Sequence, residues 1–176
     1  AEMSKIQAVP YEDITALFPR DKVKENLHNF ALNPYHPMIR GTGQRPDIFF
    51  QNTVAAHKYY NECPNIVEET LADLEKVIGR SYKLFDYSGS PTAERVAVCM
   101  GSAAQTLEET VEYLNSQGEN VGVLNVHLYR PWSTKHFLDA LPPTVKKIAV
   151  LDKTREDGAS GMPLFLDVNV AMSEAK

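Results

Sequence analysis

The amino-acid sequence predicts an α/β fold, in which helices flank a parallel or mixed sheet and a helical, irregular segment comes first. Two observations carry this prediction. Three apolar runs of strand length, RVAVCM, VGVLNV and KIAVLD, recur in the second half of the chain with amphipathic stretches between them. The joints are also short. The order strand, helix, strand, helix, strand therefore predicts parallel strands joined by right-handed crossovers.

The stretches between these runs have helical spacing and helix-start signals. The first carries an apolar stripe formed by Ala103, Leu107, Val111 and Leu114. Ser102 and Gln105 stand three positions apart, which is typical of a capping box at a helix start. STKHFLDAL predicts a short helix capped by Ser133. The last apolar stretch, LFLDVNVAM, is compatible with a strand or a helix, and the pattern does not decide between them.

The first half predicts helices interrupted by proline. YEDITALF and DKVKENLHNF read as short helices separated by Pro19, with Asp21 as a cap for the second. Residues 32–51 hold three prolines and two glycines, and we expect extended or looped chain there. NIVEETLADLEKVIG then predicts a helix that stops at Gly79, and YKLFDY predicts a strand.

A change of composition near YSGSPTAE predicts a division of the chain. Serine, glycine and proline together mark a turn-rich joint at residues 87–94. We therefore divide the chain into residues 1–87 and 88–176. We also expect this sequence to be a segment of a longer protein.

Composition and charge exclude several classes of function. The formal net charge is -5, and no cluster of lysine or arginine offsets it, so we expect no binding to nucleic acid. No apolar run approaches the roughly 20 residues that cross a bilayer, and we expect no membrane association. The two cysteines, Cys63 and Cys99, exclude a disulfide framework and a thiolate cluster. These features favour a reducing compartment, the cytoplasm or an organelle matrix.

Candidate site residues follow the predicted strands, where open α/β sheets carry their ligands. They are Gly101 and Ser102, Arg130 and Trp132, and Asp152 and Arg155. The first pair could bind an anion at a helix start or form only a tight turn. The second pair suits a carboxylate or phosphate, or an aromatic–arginine interface. The third belongs to a binding loop or a solvated turn. No spacing predicts a catalytic, cofactor-binding or metal-binding set.

Several words of the sequence resemble one enzyme family. LNPYHPMIRGTGQRPDIFFQ is similar to the end of the first domain of pyruvate:ferredoxin (flavodoxin) oxidoreductases. YKLFDYSGSPTAERVAVCMGSAAQTLEETVEYL resembles the entry into their second domain, and GVLNVHLYRPW, TVKKIAVLDKTRE and PLFLDV follow in the same order. The resemblance covers roughly residues 31–170. It implies that 88–176 form a Rossmann-like domain similar to the C-terminal domain of transketolases, after the end of a pyrimidine-binding-like domain.

The resemblance also implies an activity for the whole parent protein. Its family oxidatively decarboxylates pyruvate with coenzyme A to acetyl-CoA, using thiamine diphosphate with Mg²⁺ and iron–sulfur clusters. Electrons pass to ferredoxin, flavodoxin or a fused NADP reductase. This segment lacks the diphosphate motif and the cysteine array, so we expect a structural or assembly domain that is inactive alone, within a homo-oligomer. The alternative is a scaffold module without catalysis, such as the one in some sulfite reductase flavoprotein subunits.

Overall fold

The computed structural model describes residues 6–38, 41 and 43–175. In chain order the elements are α1 (Tyr11–Leu17), α2 (Arg20–Phe30), α3 (Pro46–Ile78), β1 (Phe85–Gly89), β2 (Arg95–Cys99), α4 (Ala103–Ser116), β3 (Val121–Val126), α5 (Thr134–Ala140), β4 (Lys147–Val150) and α6 (Pro163–Glu174). They form two compact units. The helical unit holds the residues up to Tyr59 with Glu69–Ser81, and the sheet unit holds Tyr60–Glu68 with the residues from Tyr82 onward.

The sheet unit contains four strands in the order β1-β3-β2-β4. β2 pairs in parallel with β3 on one side and with β4 on the other, while β1 runs antiparallel to β3. The predicted α/β class and the parallel or mixed sheet are confirmed. The antiparallel strand is YKLFDY, predicted as a strand, although it begins at Phe85 and continues to Gly89. The predicted division between residues 87 and 88 therefore falls inside β1.

Helices cover both faces of the sheet. On one face, Cys99 and Val123 pack against Ala104 and Val111 of α4. Side chains alternate along a strand, so Val126 faces the opposite side from Val123. Val126 pairs with Phe85, whose ring meets Phe137 of α5 with centroids 5.7 Å apart. α6 contacts α5 and β4 and so covers the same face as α5.

β1 and β3 lie so close together at one point that two positions of the sheet unit have no room for a side chain. Gly89 and Gly122 are register partners in β1 and β3. A Cβ on Gly122 would lie 2.0 Å from the Tyr87 hydroxyl, and one on Gly89 would lie 2.6 Å from the Val121 carbonyl oxygen. Gly89 also has φ +125, which L side chains rarely adopt. The Tyr87 hydroxyl donates to the Ser90 carbonyl at 2.5 Å. Desolvation by burial raises the pKa of Tyr87.

The helix starts and stops agree with the sequence only in part. LFLDVNVAM is helical, as part of α6, and Gly79 ends α3 with φ 71 as predicted. Ser102 and Ser133 occupy the N-cap positions of α4 and α5, but neither makes a side-chain cap hydrogen bond. The capping box at Ser102 was therefore wrong. Asp21 is not a cap either, because α2 begins one residue earlier, after Pro19.

The largest correction concerns α3. Of residues 32–51, for which we expected extended or looped chain, residues 39, 40 and 42 lie outside the described part, and the chain is helical from Pro46 onward. This helix has 33 residues, whereas the sequence predicted a helix only over 65–79. Proline is well tolerated at the first helical position, because its missing N–H would have no intrahelical partner there. Pro64 lies inside the same helix and is its one residue classed as buried. The prolines of residues 32–51 predicted non-helical chain, and that prediction was wrong from Pro46 onward.

Candidate functional site

The six residues predicted from the sequence follow the carboxyl ends of the three parallel strands. Gly101 and Ser102 follow β2, Arg130 and Trp132 follow β3, and Asp152 and Arg155 follow β4. The chain goes from β2 to β3 on one side and then to β4 on the other. The topological switch point therefore lies between β2 and β4, which is where such sheets open a crevice. Four of the six residues follow the two strands that flank this point.

Gly101 makes the turn from β2 into α4 possible. Its φ is +76, and its carbonyl oxygen accepts the Ala104 N–H at 3.1 Å. A Cβ at this position would meet nothing within 4 Å. The backbone conformation, and not a lack of space, is therefore what favours glycine. This geometry accounts for Gly101 as a tight strand-to-helix link, while an anion at the start of α4 stays a prediction.

Arg130 is held by contacts within the sheet unit. Its Nη2 lies 2.7 Å from Asp167 Oδ2 on α6, and its guanidinium carbon lies 4.0 Å from the centroid of the Tyr129 ring. Burial, followed by the hydrogen bond with Asp167, raises the pKa of Tyr129. Arg130 thus has a carboxylate partner within the sheet unit. A further anion at Arg130 would have to compete with Asp167.

Trp132 packs into an aromatic cluster on the α5 face. Its ring lies 5.1 Å from Phe137, 5.2 Å from Phe85 and 6.5 Å from Tyr129, measured between centroids. The indole Nε1 is buried and has no hydrogen-bond partner among the described residues. Much of the Trp132 ring is thus covered by aromatic neighbours in the sheet unit, and an interface at this loop stays a prediction.

Asp152 ties the end of β4 to the start of α6. Its Oδ2 accepts the Leu164 N–H at 2.8 Å, and its Oδ1 accepts the Thr154 N–H at 2.9 Å. Leu164 is the second residue of α6, so this carboxylate caps a free amide at the positive end of the helix. Arg155 pairs with Asp157 at 3.2 Å, and both side chains are more than 80% exposed. An open groove of about 330 Å³ follows this loop.

A polar cluster at the end of β3 was not predicted. His127 Nδ1 lies 2.9 Å from the Lys83 carbonyl oxygen and 3.2 Å from Asp86 Oδ2. Its Nε2 lies 2.9 Å from the Asn125 amide nitrogen, and Asn125 Oδ1 is buried without a partner among the described residues. Nδ1 faces a carbonyl and a carboxylate oxygen, which both accept, so this ring nitrogen is the donor. The antiparallel pairing of β1 with β3 brings Asp86 close to His127. No signal in the sequence predicted that pairing.

A second unpredicted cluster lies at the start of α5. The Ser133 hydroxyl and His136 Nδ1 are 2.6 Å apart, and His136 Nε2 lies 3.5 Å from Glu68 Oε2 on α3. The His136 side chain is only 14% exposed. The hydroxyl therefore links to the imidazole instead of capping the helix backbone. The spacing of Ser133 and His136 was visible in the sequence, but their carboxylate comes from a distant helix.

The described residues offer no ligand set for a metal ion or an iron–sulfur cluster. No group of three or more histidine, cysteine or acidic side chains among them could hold a metal ion. Cys99 is buried in the sheet core, and Cys63 is partly exposed on α3. An iron–sulfur cluster takes four thiolates.

Among the same residues, no helix is both long and apolar enough to span a membrane.

Comparisons with known proteins agree on one family. The model of pyruvate:ferredoxin oxidoreductase core domain II matches residues 93–176. The chain is 49% identical to a pyruvate-flavodoxin oxidoreductase of Enterobacter agglomerans over 97% of its length. The chain is similar to pyruvate:ferredoxin oxidoreductases over nearly its whole length. It is also 48% identical to the pyruvate:ferredoxin oxidoreductase of Moorella thermoacetica over 98% of its length. Both matches extend well upstream of the sheet, as the resemblance from residue 31 onward predicted.

The chain spans only a small share of these relatives. It covers 14% of the Enterobacter protein, 15% of the Moorella protein and 10% of a mitochondrial pyruvate dehydrogenase [NADP(+)] of Euglena gracilis, to which it is 46% identical. A solved 2-oxoglutarate:ferredoxin oxidoreductase from Magnetococcus marinus matches 81% of this chain and 23% of its own, with 16% identity and a TM-score of 0.42. That structural likeness is too distant to carry an inference about this chain.

Proposed function

We propose that this chain is a segment of a pyruvate oxidoreductase and forms part of the frame that assembles the enzyme. The parent enzyme oxidatively decarboxylates pyruvate with coenzyme A to acetyl-CoA and transfers the electrons to ferredoxin, flavodoxin or NADP⁺. The observation that carries this proposal is the identity of 46–49% over 97–98% of the chain with relatives that carry those names. We place residues 1–87 at the end of the first domain and 88–176 in the second.

A frame role is supported by what the predicted site residues already do. The side chains of Asp152 and Arg130 both contact α6, and Trp132 fills the space between Phe85 and Phe137. These contacts hold strand ends, loops and helices of one unit together. Groups engaged in this way position a structure and leave little free chemistry for substrate.

Cofactor chemistry in this proposal belongs to other parts of the parent chain. Thiamine diphosphate with Mg²⁺ supplies carbanion chemistry, and iron–sulfur clusters supply electron transfer. The described residues contain neither a thiolate set nor a metal-ligand group for them. The parent is proposed to be a homo-oligomer in the cytoplasm or an organelle matrix.

The parent polypeptide that contains this sequence tests the proposal. Purified without oxygen, it should reduce ferredoxin, flavodoxin or NADP⁺ with pyruvate, and only when coenzyme A is present. The 176-residue chain should show no saturable binding of thiamine diphosphate with Mg²⁺ in a calorimetric titration. A parent that oxidises no 2-oxoacid but carries a flavoprotein activity would favour the scaffold alternative. Micromolar cofactor binding to the chain alone would contradict the frame role.

A further inference from the structure

A methionine sulfur connects the middle of the β4–α6 loop, residues 151–162, to the start of α6. Met162, the residue before α6, accepts the Glu156 N–H on its thioether sulfur, with nitrogen and sulfur 3.3 Å apart. In the described part of the chain, no backbone oxygen accepts this N–H. The contact brings the two ends of residues 156–162 together. A thioether is only a weak acceptor, so a small chemical change at the sulfur is enough to break it.

The middle of this loop has little else to hold it. Residues 153–160 are all exposed, so burial of apolar surface does not fix their position. The ion pair of Arg155 with Asp157 lies within the loop and is exposed, and such pairs contribute little. Asp152 holds the end of the loop through the Leu164 N–H. The sulfur contact therefore determines whether the middle of the loop stays against α6.

The Met162 side chain is accessible to a small oxidant. It is half-buried and borders the open groove of about 330 Å³ that the loop forms. A hydroperoxide oxidises a thioether to a sulfoxide. The O–O bond breaks, an S–O bond forms, and the sulfur gives two electrons to the peroxide. The peroxide proton moves to the leaving oxygen, which departs as water or an alcohol. Methionine sulfoxide reductases restore the thioether with two thiols, which become a disulfide while the oxygen leaves as water.

A sulfoxide oxygen has no room between the two atoms of this contact. An N–H···O bond alone takes about 2.9 Å between nitrogen and oxygen. The Glu156 nitrogen and the Met162 sulfur are only 3.3 Å apart. Either the loop moves, or the oxygen turns into the groove, where water binds it. Oxidation also makes the side chain polar, which disfavours its half-buried position. Both effects separate the Glu156 N–H from the sulfur.

We propose that Met162 is an oxidation site and that its contact with Glu156 is a redox-sensitive switch of the β4–α6 loop. With the thioether, the loop is held against the start of α6. With the sulfoxide, the middle of the loop is released and the groove opens. Met38 is 44% exposed and should oxidise as well. Its oxidation should leave this loop unchanged, because Met38 lies outside the sheet unit.

Mass spectrometry and limited proteolysis of the 176-residue chain test the switch. After treatment with hydrogen peroxide, the peptide that contains Met162 should gain an oxygen atom. Trypsin should then cut after Arg155 on the order of tenfold faster, because cleavage follows the opening of the loop. Methionine sulfoxide reductases with dithiothreitol should restore the slow rate. An unchanged or slower cut in a chain with the sulfoxide at Met162 would overturn the proposal, as would a Met162 that stays reduced when Met38 is fully oxidised.

Met162→Leu provides the matched control. Leucine has a similar volume but offers no acceptor to the Glu156 N–H and no sulfur to oxidise. Trypsin should cut this variant after Arg155 as fast as it cuts the oxidised chain, and peroxide should not change that rate. Met38→Leu should respond to peroxide like the unsubstituted chain. A Met162→Leu chain cut as slowly as the reduced chain would show that the sulfur contact holds nothing. Acceleration of its cleavage by peroxide would assign the effect to another methionine and contradict the switch.

Discussion

The sheet unit and the helical unit differ in how far they bury their apolar side chains. In the sheet unit Phe137, Leu124, Leu164 and Val98 are fully buried between the sheet and its helices. In the helical unit, α1 and α2 contain no buried residue, and rings such as Phe49 and Phe50 are 61% and 69% exposed. Burying such a side chain stabilises a fold by roughly 1.5–3 kcal/mol. We therefore expect the sheet unit to carry its own stability.

The largest contrast should appear between two phenylalanines. Phe137→Ala empties the centre of an aromatic cluster and should lower the free energy of unfolding by about 3–5 kcal/mol. Phe50→Ala removes the same atoms from an exposed position and should change it by no more than about 0.5 kcal/mol in the 176-residue chain. Urea unfolding followed by fluorescence measures both. A loss at Phe50 comparable to that at Phe137 would erase the distinction between the units.

Two glycines with positive φ should differ in how much a substitution by alanine destabilises the sheet unit. Gly89→Ala would force a Cβ to within 2.6 Å of the Val121 carbonyl oxygen and should cost about 3 kcal/mol or more. Gly101→Ala meets open space and should cost only about 1–2 kcal/mol, from its backbone conformation. Thermal unfolding of the two variants gives the comparison. Equal losses would mean that close packing at Gly89 adds nothing.

Asp152 and Arg155, which follow β4, should differ in their effect on stability, although the sequence predicted both as candidate site residues. Asp152→Ala removes the acceptor at the start of α6 and should destabilise the sheet unit by about 1 kcal/mol. Arg155→Ala breaks an exposed ion pair and should have almost no effect, because such pairs contribute at most about 1 kcal/mol. Asp152→Asn keeps an acceptor and should recover much of the loss. Full stability of Asp152→Ala would contradict the capping role.

The least disruptive test of the comparison is the reactivity of the two cysteine thiols toward a thiol reagent. Burial, followed by the nearby Glu108 carboxylate, raises the pKa of the Cys99 thiol, so little thiolate forms at neutral pH. Cys63 is partly exposed on α3. Ellman's reagent should therefore modify one thiol quickly and the second only on unfolding, and Cys63→Ser should abolish the fast phase. Rapid reaction of both thiols in the native chain would place Cys99 outside a closed core.

The strands themselves were predicted better from the sequence than their pairing and their side-chain contacts. The valine-rich runs and the stripe of α4 are local patterns, so β2, β3, β4 and α4 followed from the sequence. The antiparallel pairing of β1 depends on contacts far apart along the chain, and with it the Asp86–His127 contact was missed. The first part of α3 was missed because Pro46 counted among the prolines that predicted an irregular segment over 32–51. The candidate site residues follow the carboxyl ends of the parallel strands, as their positions in the sequence predict, but their partners on α6 and α5 have no local signal.

A shortened chain tests the central claim most directly. A variant that begins at Tyr60 keeps every residue of the sheet unit and removes α1, α2 and the first part of α3. If the sheet unit carries the stability, this variant should unfold in one cooperative urea transition with the same midpoint as the 176-residue chain. A variant that shows no cooperative transition, or whose midpoint falls well below that of the chain, would show that the helical unit is part of the stable core.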